Sequence, residues 1–166
     1  MFHVPCSVLR ERQGFTLIEM LIVIAIIGIL AGGVLVGLGP ATKGGRDARR
    51  LSDLRQVQNG LELYYNKNQR YPAATNWAAL QTALTGASIG VSNVPKDPNS
   101  AVTYYYATDT NGTNYVMGAI LEDAGGNALS SSWSGTPPQG GGMTFPGSCG
   151  ATVTNPVPGF LYCISL

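Results

Sequence analysis

Hydrophobic positions fall into three regimes along the chain. From Met20 to Gly39 the residues form an uncharged run in which no helical face is polar. About 20 residues rising about 1.5 Å each span about 30 Å, the hydrocarbon thickness of a bilayer. A buried core helix would be shorter and two-sided. A secretory signal peptide has an apolar stretch of about 7–15 residues closed by a small-residue cleavage site, and Gly39-Pro40 supplies no such site. The pattern therefore predicts a membrane helix. Gly28–Gly32 and Gly33–Gly37 have the spacing that lets helix backbones approach closely, although membrane helices also tolerate glycine without using it so. Gly37, Gly39 and Pro40 predict a kinked or locally unwound stretch.

In the second regime Leu51, Leu54, Val57, Leu61 and Tyr64 recur at helical spacing. Here one face is apolar and the other carries Arg46, Arg49, Arg50, Asp53 and Glu62. The spacing predicts one helix over 15–67, ending near Asn68 before Tyr71-Pro72, whose second half lays its apolar face on a sheet. In the third regime Asn76 can cap a short helix carrying Trp77, Leu80 and Leu84. Val94–Asn99 reads as turns, and Val102–Ala107, Tyr115–Leu121 and Phe160–Ser165 as strands. Asn111-Gly112 marks a hairpin between the first two. Asn111-Gly112-Thr113 also matches a glycosylation sequon, for which the hairpin alone is a sufficient explanation. The expected fold class is α+β, a long N-terminal helix packed on a small antiparallel sheet. Residues 122–148 are rich in Gly, Ser and Pro and predict a long loop.

Only 11% of residues are charged, and they are segregated. Residues 43–70 hold Lys43, Arg46, Arg49, Arg50, Arg55, Lys67 and Arg70 against Asp47, Asp53 and Glu62. Residues 71–166 hold Lys96 against Asp97, Asp109, Glu122 and Asp123. The basic helix offers DNA or anionic headgroups a surface, although solvated and intersubunit faces look the same. Asp53 four residues after Arg49, and Asp47 three before Arg50, already self-pair part of it.

One charge is out of place. Glu19 stands at the mouth of the apolar rod, where a carboxylate needs a partner or a helix start to favour it. The residues before it, Arg10-Glu11-Arg12-Gln13-Gly14-Phe15-Thr16-Leu17-Ile18-Glu19, resemble the leader and cleavage site of type IV prepilins and type II secretion pseudopilins. The resemblance covers about the first quarter of the chain. It implies a pilin-like fold, a cytoplasmic leader over 1–14, cleavage after Gly14, and N-methylation of the new terminus at Phe15. The partners it implies are a prepilin peptidase/methyltransferase, the inner-membrane assembly machinery, the membrane before assembly, and copies of the chain in a helical filament. Freed by cleavage, the Phe15 amine is a cation one helical turn from Glu19, and pairing lowers the cost of both charges in hydrocarbon. By the resemblance, Glu19 of one subunit meets the amine of its neighbour during assembly.

The organisation expected is a leader at 1–14, a transmembrane or filament-core helix at 15–42, and an amphipathic helix plus α+β head at 43–166. Lys and Arg are more numerous after the span than before it, which taken alone would keep the head cytoplasmic. The resemblance implies the reverse, a head outside the membrane on a cell-surface pilus or periplasmic pseudopilus. Cys6 lies in the leader, leaving Cys149 and Cys163, either two thiols or, as suits an exported domain, a disulfide. Such a C-terminal disulfide loop is similar to that of many type IV pilins.

The only histidine, His3, also lies in the leader, so the remaining chain has no Ser-His or Cys-His pair, and no phosphate loop is present. An enzyme is not expected, nor a cofactor. Asp97, Asp109, Glu122 and Asp123 have the oxygen-ligand chemistry of a calcium site, which some pseudopilins hold in such a loop, but no EF-hand spacing joins them and no metal is expected. The leading function is a structural subunit of a type IV pilus-like filament. The alternatives are a type II secretion pseudopilin and, resting on the Arg46–Arg55 face, a DNA-binding minor pilin for uptake. Nucleic acid is not an expected partner under the leading reading.

Overall fold

A computed structural model describes residues 14–123, 128–138, 144–154 and 158–166, with the side chains of 34–38 outside the description. Helix α1 runs from Leu17 to Asn68. The helix assignment is unbroken through Pro40, so the unwinding expected around Gly37–Pro40 is not present. The missing proline N–H removes one bond without interrupting the ladder on either side. After Asn68 the chain turns at Gln69, whose φ of 58° and N–H to the Tyr65 carbonyl at 2.7 Å close the helix with a left-handed residue. Pro72 follows and cannot continue it.

Two compact units divide the chain, one up to Gly39 and one from Pro40 to Leu166. In the first, every described side chain from Gly14 to Gly33 is exposed. Among the described residues no helix is long and apolar enough to cross a membrane. The described side chains of this stretch end at Gly33, short of the full uncharged run to Gly39.

The second unit contains the α1 segment from Pro40, helix α2 (Trp77–Gly86), and strands β1 (Tyr105–Thr108), β2 (Tyr115–Leu121), β3 (Thr152–Val153) and β4 (Gly159–Ser165). Asn76 caps α2 as its sequence position suggests, its side-chain oxygen accepting the Ala79 N–H at 2.8 Å. The strands form one antiparallel sheet in the order β1-β2-β4-β3, with Tyr105 opposite Gly118 and Gly118 opposite Cys163. This is the α+β, pilin-like arrangement expected. Two details differ. The first strand begins at Tyr105 rather than Val102, because Val102 donates its N–H to Asn99 in a turn at 3.0 Å. The short β3 has no pattern of its own and exists by pairing Thr152 and Val153 with Phe160 and Gly159.

Both faces of the sheet are covered, which is why all seven residues of β2 are buried. Tyr115, Met117, Ala119 and Leu121 face Leu54, Val57 and Leu61 of α1 and Leu80 and Leu84 of α2. The alternate positions Val116 and Ile120 join Leu161, Val153 and the Cys149–Cys163 pair in a second core, closed by Trp133 and Phe145. Each large apolar side chain removed from water stabilises the fold by roughly 1.5–3 kcal/mol. Part of the Gly/Ser/Pro-rich stretch is thus a folded cover. The Trp133 N–H donates to the Cys163 carbonyl at 2.8 Å, and the Ser132 hydroxyl accepts the Cys163 N–H at 3.0 Å.

Candidate functional site

Gly14 and Phe15 lie in irregular backbone before α1, and both are exposed. Nothing stands within 4 Å of where a Cβ on Gly14 would be, and the Phe15 side chain is 79% exposed. Both residues flanking the Gly14-Phe15 peptide bond are therefore exposed. Residues 1–13, including His3, Cys6, Arg10 and Arg12, lie outside the described residues.

Glu19 starts α1 in a capping box with Thr16. Its Oε2 accepts the Thr16 backbone N–H at 2.9 Å and the Thr16 hydroxyl at 2.8 Å, while the Glu19 N–H donates to the Thr16 Oγ1 at 3.3 Å. Here the Phe15 nitrogen is a peptide amide rather than the cation expected to face Glu19. Thr16 occupies the carboxylate in its place. The T-x-x-E spacing was a legible signal for this cap. The apolar side chains that follow, from Leu17 to Leu30, are exposed in a single chain to an extent that marks an interaction or membrane surface.

In the second unit Cys149 and Cys163 form a disulfide with their Cα atoms 5.6 Å apart, within the usual range. It ties the chain before β3 to the middle of β4. Gly150 continues the tie, its N–H donating to the Leu161 carbonyl at 2.7 Å.

The basic cluster is arranged differently from a nucleic-acid face. Arg50 is buried, 1% exposed, and its guanidinium serves three carboxylates. Nε and Nη2 grip both oxygens of Asp97, and Nη1 donates to Asp47 at 2.7 Å and to Glu122 at 2.9 Å. Arg46 grips both oxygens of Glu122 in turn. Asp47 also accepts the backbone N–H groups of Glu122 and Asp123, joining α1 to the end of β2. Burial works against the Arg50 charge, yet its hydrogen bonds to Asp97, Asp47 and Glu122 outweigh it and hold the guanidinium more firmly protonated. Hydrogen bonds from Arg46, opposed by burial and helped by Arg50, pull the Glu122 carboxyl down to about 2. Sequence reasoning placed Arg50 on an exposed face, because the helical period puts it beside Arg46 and Arg49 and says nothing of Asp97.

Three of the four carboxylates with calcium chemistry, Asp97, Glu122 and Asp109, are also committed. Asp97 serves Arg50 and the Asn99 N–H, and Glu122 serves both arginines. Asp109 accepts the Thr113 and Asn114 N–H groups of the hairpin. Among the described residues no group of three or more His, Cys, Asp or Glu is placed to hold a metal ion. Further along α1, Asp53 accepts the Tyr104 hydroxyl at 2.7 Å and Glu62 accepts that of Tyr71 at 3.0 Å. Burial, reinforced by Glu62, pushes the Tyr115 phenol up to about 12.

Comparison with known proteins bears on the amino-terminal segment first. Residues 9–35 match the prokaryotic N-terminal methylation motif, a span that contains Gly14, Phe15 and Glu19. The chain is 38% identical over 63 residues to a type II secretion system core protein G of Aeromonas hydrophila, covering 38% of this chain and 44% of that one. It is 28% identical over 127 residues to a protein of the same name from Vibrio cholerae serotype O1, covering 70% and 87%. It is also 38% identical over 87 residues to the type IV wide pilus major component PilA4 of Thermus thermophilus, covering 52% and 60%. The chain spans about half the length of most of the curated relatives it matches. No solved structure matches it. The methylation motif, the names of these relatives and the helix-on-sheet fold all support a likeness to the type IV pilin and type II secretion pseudopilin family.

Proposed function

We propose that this chain is the structural subunit of a type IV pilus-like filament. The observation that carries the reading is the N-terminal segment, where an exposed Gly14-Phe15 bond and a capped Glu19 open onto an exposed apolar helix. A peptidase cuts after Gly14 and removes the 1–14 leader. Phe15 becomes a methylated cationic terminus. The 15–42 helix holds the subunit in the membrane and then enters the filament core, where Glu19 exchanges its bonds to Thr16 for the Phe15 amine of a neighbour. The head, 43–166, stays outside, braced by the Arg50 network and the Cys149–Cys163 disulfide. Its role is structural, and its partners are copies of itself, the peptidase/methyltransferase and the inner-membrane assembly machinery.

The pseudopilin alternative is favoured by the relatives named type II secretion system core protein G. The disulfide loop and the engaged carboxylates at 97, 109 and 122 favour the pilus. The DNA-uptake reading lost part of its footing, since Arg50 is buried and Arg46 is held by Glu122. Mass spectrometry of the processed chain tests the common part, with methylated Phe15 expected first and an intact leader overturning it. Labelling of surface filaments against measurement of protein export in a deletion strain then separates pilus from pseudopilus.

A further inference from the structure

We propose that Asn111 is an N-glycosylation acceptor at the end of the head where α1 stops. The proposal rests on the reading that the head is exported, because the donor sugars for such a reaction are presented outside the cytoplasm. The sequon Asn111-Gly112-Thr113 falls in the β1–β2 hairpin, and the turn itself was a sufficient reason for an Asn-Gly pair in the sequence. The structure removes that reason for Asn111. An Asn in a type I′ turn is selected for tolerating a positive φ, yet among the described residues only Gln69 and Ser88 of the non-glycines have one. Gly112 supplies the left-handed residue here, with φ of 69°, and it must be glycine, since a Cβ would stand 3.0 Å from the Tyr71 carbonyl.

The rest of the turn is held by other groups. Asp109 accepts the Thr113 N–H at 2.7 Å, the Thr113 hydroxyl at 2.6 Å and the Asn114 N–H at 3.1 Å, and its carbonyl accepts the Gly112 N–H at 3.1 Å. The Gly112 carbonyl accepts the Tyr71 N–H at 2.8 Å and docks the hairpin onto the segment after α1. Asn111 does none of this. Its side chain is exposed and hydrogen-bonds to no described residue. The turn therefore explains Asp109, Gly112 and Thr113 and leaves the carboxamide of Asn111 without structural work. Beside it opens a cavity of about 300 Å³, lined by Tyr64, Arg70, Pro72 and Thr110 among others, which offers a first sugar an aromatic ring and a guanidinium.

The co-reactant is an oligosaccharide on a polyprenyl pyrophosphate. The Asn111 Nδ2 forms a bond to C1 of the reducing-end sugar as the bond from C1 to the pyrophosphate oxygen breaks. The lipid pyrophosphate leaves with the electron pair, and the amide proton passes to a base of the transferase. The test is intact mass and peptide mapping of the full chain recovered from cells that co-express an N-oligosaccharyltransferase and its lipid-linked glycan. A glycan-sized increment is expected on the wild type and in Thr113→Ser, and is expected to be lost in Asn111→Gln and Thr113→Ala. The thermal midpoint of unglycosylated Asn111→Gln should equal that of the unglycosylated wild type. An unmodified wild type whose N-terminus is processed at Phe15 overturns the proposal while leaving the filament reading intact, as does an increment that survives in Asn111→Gln. An unprocessed N-terminus instead reports failure of the filament reading.

Discussion

Arg50 holds both carboxylate oxygens of Asp97, at 2.8 and 3.0 Å, across 47 positions of sequence. The pair is a planar fork matched to a planar acceptor, the geometry in which an arginine is most specific. Both partners are buried, so neither can fall back on water if the other is removed. Truncating one side of a buried pair typically costs about 3–5 kcal/mol. Arg50→Ala should lower the unfolding free energy of the detergent-solubilised chain by that amount in a denaturant titration. Arg46→Ala, whose guanidinium is partly in solvent, should lower it by clearly less. Equal losses for the two variants would refute the buried-pair account.

Acid should weaken the head through Glu122. Its carboxyl sits at about 2 in the folded chain against an ordinary value of 4.5. Because the folded value is the lower one, the stabilisation is complete above about 4.5 and fades as pH falls toward about 2. The thermal midpoint should decline through that window, and Glu122→Gln should be less stable at neutral pH with a flatter profile below 4.5. Parallel profiles for the two chains would show that Glu122 is not the group responsible.

The disulfide stabilises the cover on the outer face of the sheet. In the chain-entropy model, closing a loop of about 15 residues contributes about 3 kcal/mol. The double substitution Cys149→Ser, Cys163→Ser should lose about that much. Hydrogen exchange should rise at the Trp133 and Gly150 amides, whose acceptors are the Cys163 and Leu161 carbonyls, and little along α2. Uniform exchange across the head would instead indicate global loosening.

Gly159 leaves no room for a side chain. A Cβ there would meet the Leu121 carbonyl at 2.5 Å as well as the Ile120 side chain. Backbone on β2 cannot yield as a side-chain tip can, so Gly159→Ala should cost about 1–3 kcal/mol by overpacking. Gly86→Ala, with nothing within 4 Å, is the control and should change stability by less than about 1 kcal/mol.

Glu19→Val tests assembly without touching the head. It should still be cut after Gly14, because the bond is exposed ahead of the helix, and should be absent from filaments sedimented from sheared cells. Filaments at wild-type yield would count against the amine–carboxylate pairing. Loss of cleavage would instead assign Glu19 to the peptidase.

What the sequence by itself determined are the features whose causes are local. The apolar rod after Glu19, the stripe Leu54–Val57–Leu61, the Asn76 cap and the Asp109–Asn114 hairpin each depend on residues within a few positions, where period and capping chemistry act. The methylation motif is equally local, and it carried most of the functional reading. Only the tertiary structure decided where Arg50 points, since its partners Asp97 and Glu122 lie 47 and 72 positions away. Helical spacing alone cannot tell an arginine facing solvent from one facing a buried carboxylate. The same holds for β3, which exists only by pairing with β4, and for Trp133 and Phe145, which cover the outer face of the sheet from a stretch whose composition reads as loop. Contacts between distant segments follow from packing two hydrophobic faces at once, and no window of neighbouring residues contains that information.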